Sequence, residues 1–265
     1  MTGDSPFSLT GKVALITGGG RGIGAGIARA FADAGAAVAL VARTPAQLDE
    51  VTDDIRSSGG QAIACPADVT ELDGLPAVVE RAVGELGQLD VVVNNAGGGD
   101  QWRPFLETTV EHLSTSFHFN ALVPFELSRL AVPHLLDRPG ASIINISSIA
   151  ITKAVRGHIA YDAAKGALTY MTQSMAADLG PRIRVNAILP GATETPALRE
   201  ILDAADPSMR EMMIERTRLR RNATVEDIGH AAVFLASPAA SFVTGKLLEV
   251  DGGAVDELRQ RFPDL

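Results

Sequence analysis

Residues 145–165, NISSIAITKAVRGHIAYDAAK, bring two adjacent serines, Ser147 and Ser148, a tyrosine, Tyr161, and a lysine, Lys165, into a largely apolar stretch. On a helix, positions 161 and 165 share one face, a turn apart. A phenol that titrates near ~10 is a poor proton carrier at neutral pH, and an ammonium a few ångströms away favours its anion. Tyr161 could then act as general acid in one direction of a reaction and general base in the other. A serine at the end of the preceding strand, SIINIS, can hydrogen-bond the reacting oxygen and stabilise charge developing on it. Alternation along that strand places Ser147 and Ser148 on opposite sides. Taken singly, each residue also has a structural explanation: serines cap helices and tyrosines pack with the hydroxyl outward.

A second chemistry-bearing stretch is VALITGGGRGIGAGIARAF, which sets Gly18, Gly22 and Gly24 between an apolar strand and a helix. Glycines let the chain turn sharply and let the backbone approach a pyrophosphate, while the helix N-terminus offers free N–H groups and a positive dipole end. The strand-to-helix context favours a nucleotide site, although turns and helix caps also collect glycine.

The elements that must position these residues alternate along the chain. KVALIT, AAVALVA, AIACPADV, LDVVVNNAG, SIINIS, IRVNAILPG and KLLEV read as strands, without the polar alternation of a half-exposed sheet. GIGAGIARAFADAG, PAQLDEVTDDIRSSG and ELDGLPAVVERAVGELG read as helices, followed by a long helical region from Val110 to Leu136 and a helix over 159–179. The pattern predicts an α/β fold, a Rossmann-type doubly wound parallel sheet of about seven strands with helices on both faces. No repeat, linker or compositional break divides the 265 residues, so one domain over 1–265 is expected, with a core at 8–253. A net charge of −9 without a basic block argues against nucleic acid. The single Cys65 has no disulfide partner and no companions for a metal site. MTGDSPFSLT has no signal-peptide pattern, and no apolar run approaches a membrane span. A reducing, cytoplasmic setting is expected.

The spacing T-G-x-x-x-G-x-G from Thr17 to Gly24 resembles the short-chain dehydrogenase/reductase family, and further motifs follow in the family's order. They are Asp68 in PADVT, NNAG at 94–97, Asn120, the Ser148/Tyr161/Lys165 set, RVNAILPG and LEVDGG, covering essentially residues 8–253. The resemblance implies an NAD(P)-dependent enzyme acting on a ketone or secondary alcohol. It selects Ser148 over Ser147, because the family's serine lies thirteen residues before its tyrosine. It implies that Asn120 holds a water linking Lys165 to solvent, and that Lys165 also holds the ribose hydroxyls. The cofactor residues it implies are Thr17, Gly18, Arg21, Gly22, Ile23 and Gly24 in the first turn, Arg43 after the second strand, and Asp68 and Val69 at the adenine. Asn95, Ala96 and Gly97 follow the fourth strand, Pro190, Gly191, Thr193 and Thr195 lie by the nicotinamide, and Tyr161 and Lys165 complete the set.

Relatives that use NAD carry an acid at the end of the second strand, where this chain has Ala42 followed by Arg43. With Arg21 in the glycine loop, two guanidiniums and no carboxylate suit a 2′-phosphate, so NADP is expected, with NAD as the alternative. Details such as NNAGGG and PGATETPAL are similar to bacterial 7α-hydroxysteroid dehydrogenases, which points to a bulky apolar substrate; the overall pattern also resembles 3-oxoacyl-carrier-protein reductases. A catalytically silent NADP-binding sensor or scaffold is the reading from a different class. Residues 194–221 form the expected substrate lid, with Met209, Met212 and Met213 able either to fit an irregular ligand or to pack in the core. Lys153, Arg156 and His158 are placed near the pocket rim, where an exposed loop accounts for them and where they could also meet an acidic substrate tail. The family implies a homotetramer built through the helices at 110–136 and 159–179 and the last strand.

Overall fold

The computed structural model describes residues 5–99, 102–154, 156–204 and 208–254. Seven strands, β1 (Val13–Thr17), β2 (Ala37–Ala42), β3 (Gln61–Pro66), β4 (Val91–Asn94), β5 (Ala141–Ile146), β6 (Ile183–Pro190) and β7 (Leu247–Val250), form one sheet in the order β3-β2-β1-β4-β5-β6-β7. Every pairing is parallel. β1, β4 and β5 are buried at every position, as strands covered on both faces must be.

Successive side chains leave the sheet on opposite sides and build two cores. Ile16, Leu40, Val93 and Ile144 pack with α1 (Gly22–Asp33), α2 (Pro45–Ser57) and α9 (Val225–Ala236) on one face. Leu15, Val92 and Ile143 pack with α3 (Leu75–Leu86), α5 (Val123–Leu135) and the end of α6 (Ile159–Leu179) on the other. The strand order reverses between β1 and β4. A crevice at the carboxyl ends of those two strands is where this architecture accepts ligands.

Three features depart from the sequence reading. The helical region from Val110 is not continuous: α4 (Val110–Phe117) gives way to a π turn at His118–Leu122 before α5 begins, and the Val123 amide bonds the His118 carbonyl. Residues 225–236, which periodicity alone left unassigned, form α9 behind a capping box in which Thr224 and Asp227 exchange hydrogen bonds. α9 lies so close to α1 that a Cβ on Gly26 would come within 2.6 Å of Val225 Cβ. The expected strand AIACPADV ends at Pro66, which leaves Asp68 and Val69 in the loop that follows. The segment expected as a lid carries α7 (Pro196–Ala204) and α8 (Ser208–Glu215), and residues 205–207 within it lie outside the described residues. Met212 on α8 is exposed, whereas Met209 and Met213 are partly covered. Among the described residues, no helix is long and apolar enough to cross a membrane.

Candidate active site

β5 ends at Ile146, and the next two residues diverge as strand alternation requires. Ser147 is buried; its hydroxyl lies 2.9 Å from Thr169 Oγ1 and donates to the Lys165 carbonyl at 3.2 Å, tying β5 to α6. Ser148 turns the other way, its Oγ accepting from the Ala150 amide at 3.1 Å while it hydrogen-bonds Tyr161. Tyr161 and Lys165 sit one turn apart near the start of α6, with Nζ 5.8 Å from the phenol ring centroid. Lys165 is 3% exposed and donates to the Ile146 carbonyl at 2.8 Å. Asn120 is fully buried in the π turn. Its amide nitrogen donates to the Ser116 and Gly98 carbonyls at 3.0 and 3.1 Å, and its Oδ1 accepts from the Gly98 amide at 3.0 Å. Gly97 separates it from the lysine: a Cβ there would lie 2.8 Å from Asn120 Oδ1 and 3.0 Å from Lys165 Nζ. The four residues expected to be catalytic are therefore brought together by the ends of β4 and β5, the π turn and the first turns of α6.

The electrostatics differ in one respect from the sequence expectation that the lysine lowers the phenol. In the chain by itself, burial raises Tyr161 above its ordinary value; the Ser148 hydrogen bond opposes the rise and the Asp162 charge adds to it. Lys165, buried and without a carboxylate against it among the described residues, is pushed down from its ordinary 10.5 to about 8 by desolvation. Below about 8 the folded chain therefore carries the full penalty of a buried charge. As pH rises from there to 10.5, the unfolded chain holds more protons at this site than the folded one, so stability increases. Relative to Lys165→Met, the wild type should gain roughly 2 kcal/mol between pH 7.5 and 9.5. Denaturant unfolding at the two pH values measures this, and a stability difference unchanged between them would contradict the lowered lysine.

The glycine loop occupies the switch point between β1 and β4. Gly18 and Gly22 take positive φ angles of 66° and 56°, which non-glycine residues rarely adopt. A Cβ on Gly24 would lie 2.2 Å from the Gly18 carbonyl oxygen, so that glycine is required by the loop's own closure onto α1. The side chains of Thr17 and Asn95, both expected at the cofactor, tie β1 to the end of β4. Thr17 Oγ1 accepts from the Asn95 and Ala96 amides, both at 3.0 Å, and Asn95 Nδ2 donates to the Thr17 carbonyl at 2.8 Å. α1 begins after an extended, exposed Arg21 with no side-chain cap and no acid in its first turn, whereas α4 and α9 both have capping boxes. Ile23 is partly buried against the core. Thr195 faces Gly22, with 3.4 Å between its methyl and the position of a Gly22 Cβ, and caps α7 by accepting from the Leu198 amide at 3.1 Å. Pro190 closes β6, Gly191 packs against Asp251, and Thr193 Oγ1 bonds the Gly191 carbonyl at 3.0 Å.

At the far end, Arg43 follows β2 with its side chain 75% exposed, and its nearest carboxylate is Asp68 at 3.8 Å. The absence of an acid on β2 thus does not leave this corner free of carboxylate. Asp68 is held low mainly by hydrogen bonds from the Thr70 hydroxyl and amide, at 2.7 and 2.9 Å. At that distance and exposure the ion pair is weak, and Arg43 is free to meet another anion. Val69 is buried. Sequence reasoning missed His118, whose Nε2 lies 2.8 Å from the Thr70 carbonyl and joins this loop to the π turn that carries Asn120. Neither spacing nor periodicity marks that contact, which spans 48 residues.

The rim residues separate. Lys153 donates to the Ala254 carbonyl, tying the loop after β5 to the chain beyond β7. Arg156 is exposed in an outer cleft with Phe105 and Ile159. His158 lies between Trp102 and Tyr161, tilted against both rings at centroid distances of 4.8 and 5.3 Å.

A doubly wound parallel sheet with a glycine loop at its switch point and a Ser/Tyr/Lys/Asn cluster beside it defines a dinucleotide-dependent oxidoreductase. Residues 18–255 match the family model described as enoyl-(acyl carrier protein) reductase. The chain is 40% identical over 251 residues to the 7α-hydroxysteroid dehydrogenase of Escherichia coli K12, covering 94% of this chain and 96% of that one. A 7α-hydroxysteroid dehydrogenase solved with NADH and 7-oxo glycochenodeoxycholic acid superposes with a TM-score of 0.91 at 39% identity, covering 98% of this chain and all of that one. A Beutenbergia cavernae protein described as an NAD(P)-dependent gluconate 5-dehydrogenase, with NADP bound at low occupancy, superposes with a TM-score of 0.87 at 36% identity, covering 94% of this chain and 98% of that one. The chain belongs to the short-chain dehydrogenase/reductase family. It is an NAD(P)-dependent oxidoreductase acting on CH–OH groups.

Proposed function

We propose that this enzyme interconverts a bulky, apolar ketone of hydroxysteroid type and its secondary alcohol, with NADP(H) as the preferred cofactor. The observation that carries the reading is the convergence of Ser148, Tyr161, Lys165 and Asn120 beside the β1–β4 crevice. The crevice fits a dinucleotide. Its floor is a turn with two left-handed glycines, its helix N-terminus has uncapped donors, and an exposed guanidinium stands at the end where the adenosine ribose would lie. When bound, the nicotinamide supplies or accepts the hydride. Ser148 orients the substrate oxygen, Tyr161 gives it a proton in reduction and removes one in oxidation, and Lys165 holds the ribose hydroxyls. Asn120 keeps a water in reach of the lysine. The amides of Gly22, Ile23 and Gly24 face the pyrophosphate, while Gly18, Ala96 and Gly97 give it room. Pro190, Gly191, Thr193 and Thr195 flank the nicotinamide, and Asp68 and Val69 flank the adenine.

The reading extends to the whole chain. Residues 8–253 act as one cofactor-binding unit, and 194–221 close over the substrate. The enzyme works in the cytoplasm as a homotetramer. Support for the assembly comes from large apolar side chains left on the surface around α4 and α6, among them Phe105 (74% exposed), Leu106 (95%) and Val110 (81%). The test of function is to mix the protein with NADPH or NADH and a panel containing a 7-oxo bile acid and an acetoacetyl thioester. The 7-oxo steroid should be reduced faster than the thioester. The reverse order would favour a 3-oxoacyl-carrier-protein reductase, and cofactor binding without consumption on any ketone would favour a sensor or scaffold.

Cofactor choice gives a sharper expectation. A charge-assisted contact from Arg43 to a 2′-phosphate is worth roughly 1.5–3 kcal/mol, so kcat/KM should favour NADPH over NADH by at least about tenfold. Arg43→Ala should erase most of that preference and leave NADH turnover nearly intact, and Ala42→Asp should move selectivity toward NADH by repulsion. Equal or better use of NADH by the wild type would overturn the assignment.

A further inference from the structure

Tyr161 is only the third residue of α6, where the backbone has just begun to be held by helical hydrogen bonds. A small hollow lined by Arg103, Thr108, His112, Gly157 and Ala160 lies against the ring. What fills the adjoining side is His158, the residue just before α6. Its carbonyl accepts the Asp162 amide at 2.9 Å, its Nδ1 lies 3.5 Å from Asp162 Oδ1, and Trp102 covers its outer face. The surrounding backbone is shaped to admit this stack. Gly157, at φ +83°, accepts the Arg103 amide at 3.0 Å and so sets Trp102 over the imidazole. A Cβ on Gly99 would lie 3.5 Å from His158 Nε2 and 3.8 Å from Tyr161 Cδ2, so the β4 loop backs onto both rings. The phenol ring thus has an imidazole 5.3 Å away and the Lys165 ammonium 5.8 Å away.

We propose that His158 is a positioning residue for the reaction: clamped between Trp102 and Asp162, its imidazole holds the Tyr161 ring in the orientation from which the hydroxyl meets the substrate oxygen. The inference rests on Tyr161 being the acid/base. A flat ring at 158 is the requirement, because the contact to Tyr161 is ring against ring, with 52° between the planes, and a displacement of the acid by about 1 Å can cost two orders of magnitude in rate. The described contacts of His158 itself, to Trp102, Tyr161 and Asp162, include neither the glycine loop, Lys165 nor Arg43, so cofactor affinity should depend on it little.

The test compares His158→Ala with His158→Phe, using the fastest-reduced ketone of the panel above. His158→Ala should lower kcat at least tenfold with the cofactor KM changed less than twofold, and His158→Phe should recover at least a third of the wild-type kcat. A smaller fall in the alanine variant, a phenylalanine variant that recovers less, or a cofactor KM that changes twofold or more would overturn the proposal. If circular dichroism shows His158→Ala unfolded, His158→Leu, which fills the volume without a flat ring, takes its place under the same thresholds. Tyr161→Phe assayed alongside separates two failures. Full activity in that variant would remove the acid/base reading itself, whereas an inactive Tyr161→Phe beside indifferent His158 variants would remove only the clamp.

Discussion

Tyr161→Phe is expected to lower turnover about a thousandfold, a loss of about 4 kcal/mol of transition-state stabilisation, while cofactor affinity and the fold survive. The substitution keeps the ring, and with it the contacts to His158 at 5.3 Å and to the Lys165 ammonium at 5.8 Å. Only the hydroxyl goes, together with its hydrogen bond to Ser148. Because burial holds the phenol above its ordinary value, the chain's own groups keep Tyr161 protonated at neutral pH. That is the form needed to donate to a ketone, so the reductive rate should be flat through neutral pH and fall only on the alkaline side. Oxidation needs the anion and should climb over the same range. Steady-state rates in both directions, cofactor titration by fluorescence and circular dichroism check each part. More than a tenth of wild-type turnover in the variant would overturn the assignment of the proton donor.

Lys165→Ala should act on two quantities at once, lowering kcat about a hundredfold and weakening cofactor affinity about tenfold. The ammonium lies 5.8 Å from the phenol ring centroid, and a cation at that range helps to stabilise negative charge as the proton moves. The same group is the donor assigned to the ribose hydroxyls. Truncation also leaves the Ile146 carbonyl without its lysine donor in a buried place, so some loss of stability is expected as well. Lys165→Met fills the volume without charge and separates these effects: its kcat and affinity should fall as far as those of Lys165→Ala while its thermal midpoint stays closer to the wild type. An alanine variant with unchanged cofactor affinity would contradict the ribose contact.

Much of the fold was legible in the chain because its signals are local. Strands buried on both faces read as unbroken apolar runs, as VALIT and ASIINI do, and glycines mark the turn from β1 into α1, where Gly18 and Gly22 take positive φ. The helix α9 was less legible, since its apolar content runs nearly all round; the Thr224–Asp227 capping box was the signal that could have found it. The break at His118–Leu122 was hidden because a π turn adds one residue to a helical pattern without altering its composition.

The sequence by itself determined which residues could do chemistry and that one parallel sheet would carry them. Tyr161 and Lys165 share a helix face by spacing alone, and Ser147 and Ser148 point apart by strand alternation alone. Tertiary structure decided what those groups experience. It buried Ser147 against α6 and left Ser148 with the phenol, and it committed Thr17 and Asn95 to holding β1 and β4 together. It also set Asp68 beside Arg43, joined His118 to the adenine-side loop, and inserted His158 between Trp102 and Tyr161. It raised the phenol and lowered the lysine. The physical reason is common to all of these. Desolvation and hydrogen-bond partnership depend on segments tens of residues away in the chain, and periodicity reports only which face a side chain takes, not what the rest of the chain brings to meet it.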